Sequence, residues 1–194
     1  MKLQKERDIP AKTTQRIGLA KHKLTTEMGH ADPKRREKLS ENLFRVIDGN
    51  ISLEGSDIYW AARLLEAGAD PNAKDNGGCS PLGRAARKGR GDICRLLAAK
   101  GADVNARDGE GETVLMKAAA SGDTGTCAML VNSGADPRAR IGKGPFRDRD
   151  AAKIARFNGH EKTAIFLNST IAIGIVGIEN YGRFMLDFKR CIGK

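Results

Sequence analysis

One six-residue phrase returns three times at a constant step along the chain. It reads Gly68-Ala69-Asp70-Pro71-Asn72-Ala73, then Gly101-Ala102-Asp103-Val104-Asn105-Ala106, then Gly134-Ala135-Asp136-Pro137-Arg138-Ala139, and its leading glycines lie 33 residues apart both times. A period of that size marks supersecondary units too small to bury an apolar face alone, so they must stack on one another. A stack of this kind presents a long concave surface and seldom a catalytic cleft. The spacing therefore points to binding.

The second unit can be read forward from its phrase. Asp75-Asn76-Gly77-Gly78 is a dense turn signal, since glycine accepts positive φ and Asp or Asn bonds its own backbone. Ser80 can then cap a helix that has Pro81 at its first position, where a missing N–H costs nothing. Leu82, Ala85 and Ala86 give that helix a face of small residues, and Gly89 ends it. In the helix that follows, Ile93, Leu96 and Leu97 form an apolar stripe ending at Gly101. The third unit repeats this order: Thr113-Val114-Leu115 answers Ser80-Pro81-Leu82, Ala118-Ala119 answers Ala85-Ala86, and Gly122 answers Gly89. Leu130 answers Leu97, and Cys127 answers Cys94.

Ser80-Pro81-Leu82-Gly83-Arg84-Ala85-Ala86, the glycine closing each short helix, the Leu-Leu pair and the Gly-Ala-Asp-Val-Asn-Ala phrase together resemble ankyrin repeats. The resemblance spans roughly residues 39–169 and implies an all-α solenoid of about four antiparallel helix pairs, joined by protruding β-hairpin loops. It also implies a protein–protein interaction function. One departure stands out. The His of the family's Thr-Pro-Leu-His is replaced by Gly83 and Met116, so the hydrogen-bond network it usually anchors is expected to be absent from both central repeats.

The terminal units are irregular, as expected where a stack must meet water. In the first, Leu43 to Gly49 reads as one helix and Ala61 to Ala67 as part of a second, with an over-long connection between them. In the fourth, Asp150 to Ala155 supplies the first helix and Asn158-Gly159-His160 its end. The Gly-, Pro- and Arg-rich loop from Arg138 to Arg149 is longer than its equivalents and is expected to be exposed.

Charge divides the chain further. The net charge is +10, but residues 1–38 hold eleven Lys/Arg against five Asp/Glu, whereas the repeat body is nearly balanced. Residues 1–38 show little apolar periodicity and are expected to form a basic, largely flexible arm. Its densest cluster is Lys34, Arg35, Arg36 and Lys38, the candidate nucleic-acid contact, since such charges attract phosphate non-specifically. No aromatic residues are interleaved for base stacking, so a solvated tail leading into the first helix is the plainer reading. Residues 170–194 carry Ile171, Ile173, Ile175, Val176, Ile178, Phe184, Met185, Leu186 and Phe188. That is too apolar for a free tail, and the segment is expected to cap the last repeat or dock on a partner.

Catalytic chemistry is not legible. The three histidines are His22, His30 and His160, and none sits beside a nucleophile or in a ligand spacing. Gly142-Lys143-Gly144-Pro145 lacks the spacing of a phosphate loop, and Asp148 and Asp150 flank arginines in a manner suited to solvated charge and helix capping. The four cysteines (79, 94, 127, 191) form no Cys-x-x-Cys pair. No disulfide framework or zinc site is expected, which favours a reducing compartment. No run approaches the ~20 apolar residues of a membrane span, and the N-terminus lacks the apolar core of a secretory signal. A cytoplasmic, non-enzymatic protein without cofactor or metal is the expectation.

The resemblance also assigns a binding face, lined by hairpin tips and the exposed positions of each first helix. Carried over residue by residue, it selects Asn76, Cys79, Arg87 and Lys88 in the second unit, and Glu110, Glu112 and Ser121 in the third. Arg140, Phe157 and Asn158 are the candidates in the fourth. With Arg84 and Arg90 beside Arg87 and Lys88, and Glu110 and Glu112 on the next hairpin, the groove should be mixed in charge and suit a partner with an acidic stretch. The alternative is a basic accessory protein that associates with RNA or a ribonucleoprotein through its N-terminal arm.

Overall fold

The computed structural model describes residues 32–50, 56–142 and 147–173. Among them are eight helices, α1 (Pro33–Ile47), α2 (Asp57–Glu66), α3 (Pro81–Arg87), α4 (Gly91–Ala99), α5 (Val114–Ser121), α6 (Thr124–Asn132), α7 (Ala151–Phe157) and α8 (Glu161–Ile173). They pair in order, α1 with α2 through α7 with α8. The odd-numbered helices stack on one another as one layer and the even-numbered helices as a second.

The starts of the first-layer helices follow from their caps. Ser80 Oγ accepts from Gly83 N at 3.2 Å, Thr113 Oγ1 from Met116 N at 3.3 Å and Asp150 Oδ1 from Lys153 N at 2.9 Å. Each satisfies one of the amides that a helix N-terminus leaves without an internal partner. Asp32 does the same for α1 by accepting from Lys34 N, with Pro33 in the first turn. The helix thus begins well before residue 39, and the cluster expected in a flexible arm occupies its opening turns. The rest of that arm, residues 1–31, lies outside the described residues. So does the C-terminal segment beyond 173, whose first residues complete α8.

Small residues set the spacing of the first layer. Ala85, Ala86, Ala118, Ala119, Ala151, Ala152 and Ala155 are all buried, which lets neighbouring helices approach closely. Bulkier core side chains run the length of the stack, from Leu39, Leu43 and Ile47 in α1 through Leu82, Ile93, Leu97, Leu115 and Leu130 to Phe166 and Leu167 in α8. Gly122, with φ of +77°, closes α5 against the next repeat, and a Cβ there would lie 2.5 Å from His160 Nδ1.

Among the described residues no strand forms. The expected hairpin loops are tight turns closed by Asp75 N to Cys79 O and Asp108 N to Glu112 O, each 3.1 Å, with one antiparallel bridge between Arg107 and Thr113. Side chains tie successive loops together. Asn72 accepts from Asp103 N at 2.8 Å and donates to Gly101 O at 3.1 Å, and Asn105 repeats both bonds to Asp136 N and Gly134 O at 3.0 Å. Arg138 stands where the next asparagine would, and its Nη2 donates to Ile171 O at 3.3 Å. In a parallel row Lys74 donates to Arg107 O and Arg107 to Arg140 O, both at 3.0 Å. The repeat thus rests on a polar ladder as well as on its apolar core.

The long loop after Ala139 is anchored at its base. Ile141 is buried, its N donates to Arg149 O, and its carbonyl accepts from Asp148 N. No helix among the described residues is long and apolar enough to cross a membrane.

Candidate protein-binding groove

The exposed edges of α1 and α3, the buried Lys117 of α5 and the two hairpin tips at Asn76-Gly77 and Asp108-Glu110 enclose a groove of about 1310 Å³. The tips are in contact: Gly109 N donates to Gly77 O at 2.9 Å, and a Cβ on Gly109 would lie 2.9 Å from that oxygen. Glycine is therefore required there for the tips to stack.

The groove floor is ionic and largely neutralised from within. Arg84 pairs with Asp75 and, at 3.2 Å, with Asp48, and its guanidinium lies 5.6 Å from the Phe44 ring centroid. One repeat on, at the equivalent position, Lys117 Nζ lies 2.5 Å from Asp108 and 3.0 Å from Glu112. The Lys117 side chain is only 4% exposed. Burial pushes the Asp75 and Asp108 carboxyls up, but Arg84 and Lys117, with the backbone amides that donate to them, outweigh it and hold both below the usual carboxylate range. Burial likewise disfavours the Lys117 ammonium, yet its two carboxylates leave its pKa raised.

The basic cluster expected around α3 is thereby divided. Lys88 Nζ sits 3.4 Å from Asp48 and donates to the Asp48 carbonyl, and Arg90 pairs with Asp57 at 2.5 Å. Arg87 alone of the four is exposed with no ion pair among the described residues, and it lines the groove.

Of the other sequence-selected positions, Asn76 and Glu110 are exposed at the tips and line the groove. Cys79 also lines it, but from a buried position under the floor, its Sγ donating to Ser80 O at 3.6 Å. Burial pushes its thiol pKa up. Glu112 is committed to Lys117 and Ser121 Oγ donates to Ala118 O, so neither offers its side chain freely. Asn158 Nδ2 donates to Ala120 O at 3.2 Å, beside His160 Nε2 on the same carbonyl at 3.1 Å, and both thereby hold the fourth unit on the third. Arg140 is exposed on the loop row, and neither it nor Asn158 lines the groove.

Phe157 is 70% exposed, with Arg149 stacked 4.4 Å from its ring centroid, and it too lies outside the groove. The loop's arginine covers one face of the ring, and the loop does not bury it.

Helix α1 contributes to the groove beyond what the sequence displays. Arg35 and Arg36, expected in the arm, line the groove from α1 together with Glu37, Glu41, Phe44 and Arg45. The Asp32-Pro33 capping signal was the clue that the helix starts there. The expected loss of hydrogen bonding at the replaced histidines is also corrected at one site. Met116 Sδ accepts from Thr113 N at 3.4 Å, closing a reciprocal cap with a thioether.

Among the described residues no group of three or more His, Cys, Asp or Glu side chains is placed to hold a metal ion. The comparisons agree with the geometry: residues 54–141 match a family model described as ankyrin repeats (3 copies). That match covers α2 to α6, while α1, α7 and α8 lie outside it and extend the same pairing. No curated protein matches the chain.

Proposed function

The chain belongs to the ankyrin-repeat family through residues 54–141, and from that premise we propose that it is a non-enzymatic scaffold that holds a partner protein in the groove between α1, α3, α5 and the first two hairpin tips. The observation that carries this reading is the groove itself, with an internally neutralised floor and, among the described residues, charges without an ion pair on its walls at Arg87 and Glu110. Because these charges are already paired within the chain, a partner docking there would not have to break the Arg84 and Lys117 pairs. The walls supply selectivity, because charged rims set register and suppress wrong partners.

The acidic residues Glu37, Glu41 and Glu110 interrupt the basic ones along this surface. That alternation suits a peptide of mixed charge better than the continuous phosphate charge of RNA, so the ribonucleoprotein alternative gains nothing from the groove. Among the described residues Cys79, Cys94 and Cys127 are free and buried, which supports a reducing compartment, taken here to be the cytoplasm.

The test is capture of partners from native lysate by the full chain, with and without nuclease, beside the Arg87→Glu variant. A stoichiometric protein that survives nuclease and is lost with Arg87→Glu supports the reading. Loss of every partner on nuclease treatment overturns it in favour of nucleic-acid association.

A further inference from the structure

Arg35 occupies the first turns of α1 and lines the groove. Its Nε and Nη2 are buried and, among the described residues, have no hydrogen-bond partner. These two nitrogens form one edge of the planar guanidinium, and their N–H groups point the same way. They match the two oxygens of a carboxylate, the bidentate geometry that makes arginine selective for planar anions. A buried charged donor left unmade is costly, and because Arg35 lines the groove a small swing of its side chain would present the fork to an acceptor entering there.

Charge on the surrounding surface says what that acceptor is. The other buried or half-buried cations of the floor, Arg84 and Lys117, already have carboxylates within the chain. Arg35 and Arg87 do not, among the described residues. Phe44, half-buried beneath the Arg84 guanidinium, lines the same groove. A stretch of anionic polymer would meet Glu37, Glu41 and Glu110 at the same time and be repelled, whereas a single carboxylate flanked by neutral or basic residues would not.

We propose that Arg35 is the anchor for one Asp or Glu side chain of an extended partner peptide, held side-on through Nε and Nη2, with Arg87 steering that carboxylate into the groove. This inference rests on the groove being the binding face and adds the chemistry of the residue it selects.

The experiment is selection of a displayed 12-residue random peptide library on the full chain, followed by anisotropy titration of the tightest peptide. Its Glu→Gln or Asp→Asn version and a uridine oligonucleotide serve as the comparison probes. Removing the peptide carboxylate should weaken binding roughly tenfold to a hundredfold, and Arg35→Gln should do the same. Combining the two changes should cost little more than either alone. Arg35→Lys should restore little, because an ammonium cannot make the paired bonds, and Arg95→Gln on exposed α4 should change nothing. Circular dichroism of each variant establishes that it is folded. Peptides that need Arg87 but ignore both Arg35 and their own carboxylates would overturn this inference and leave the groove reading standing. Peptides indifferent to Arg87 and Arg35 alike would overturn both. Arg35-dependent binding of the oligonucleotide without peptide binding would overturn the peptide assignment.

Discussion

Lys117 and Arg84 stand at equivalent positions 33 residues apart, yet they should differ sharply in what their loss costs. Lys117 is 4% exposed, and its partners Asp108 and Glu112 are 7% and 24% exposed. Replacing it with methionine keeps most of the volume but strands the Asp108 carboxylate beneath the groove. Breaking a buried pair on one side costs roughly 3–5 kcal/mol. Asp108 retains backbone N–H bonds from Glu110 at 3.0 Å and Glu112 at 2.9 Å, which places the expected loss near the lower end, about 3 kcal/mol. Arg84 is itself 32% exposed, so water already screens its pairs with Asp48 and Asp75, and Arg84→Met should cost only about 1 kcal/mol. The assay is urea unfolding of the full chain followed by far-UV circular dichroism. Adding Asp108→Asn to Lys117→Met should recover about 1 kcal/mol, because it removes the stranded charge. Equal costs for the two methionine variants, or a further loss on adding Asp108→Asn, would refute the reasoning.

Three further outcomes follow from the same structure. Gly122→Ala combines a left-handed backbone with a Cβ 2.5 Å from His160 Nδ1, so it should cost more than about 2 kcal/mol in urea, against about 1 kcal/mol for Gly101→Ala, which opens onto empty space. Asp75 and Asp108 are held below their ordinary range, so they stabilise the fold above the unfolded carboxylate value, and that contribution is lost as pH falls below about 4. Lys117 is raised, so its contribution is present below about pH 10.4 and fades above it; the melting temperature should therefore be flat between those limits and drop on both sides. Burial pushes Cys94 and Cys127 up to about 12, and both are fully buried, so neither should react with a thiol reagent until urea unfolds the chain. Rapid labelling of either in native buffer would contradict the packing.

Local signals carried much of the architecture in the sequence. Caps such as Ser80, Thr113 and Asp150, and the alanines that set the inter-helix spacing, act within a few residues, so a constant period exposes them directly. The site was less legible because its decisive contacts cross between units. Asp48 draws in both Arg84 and Lys88, and Asp57 draws in Arg90, at separations of 36, 40 and 33 residues that no local pattern displays. A basic run that looked available is thereby reduced to Arg87. The place of Arg35 is hard to read from the sequence for the opposite reason. Its run of charges hid the short capping signal at Asp32-Pro33, and with it the helix that turns the residue into the groove.

The central claim is that the face formed by α1, α3, α5 and the first two hairpin tips receives a protein partner. Hydrogen–deuterium exchange of the full chain, alone and with the partner captured from lysate, tests it most directly. The account predicts new protection confined to residues 33–48, 74–88 and 107–118. Protection concentrated on α4, α6 and α8, with those segments unchanged, would contradict it.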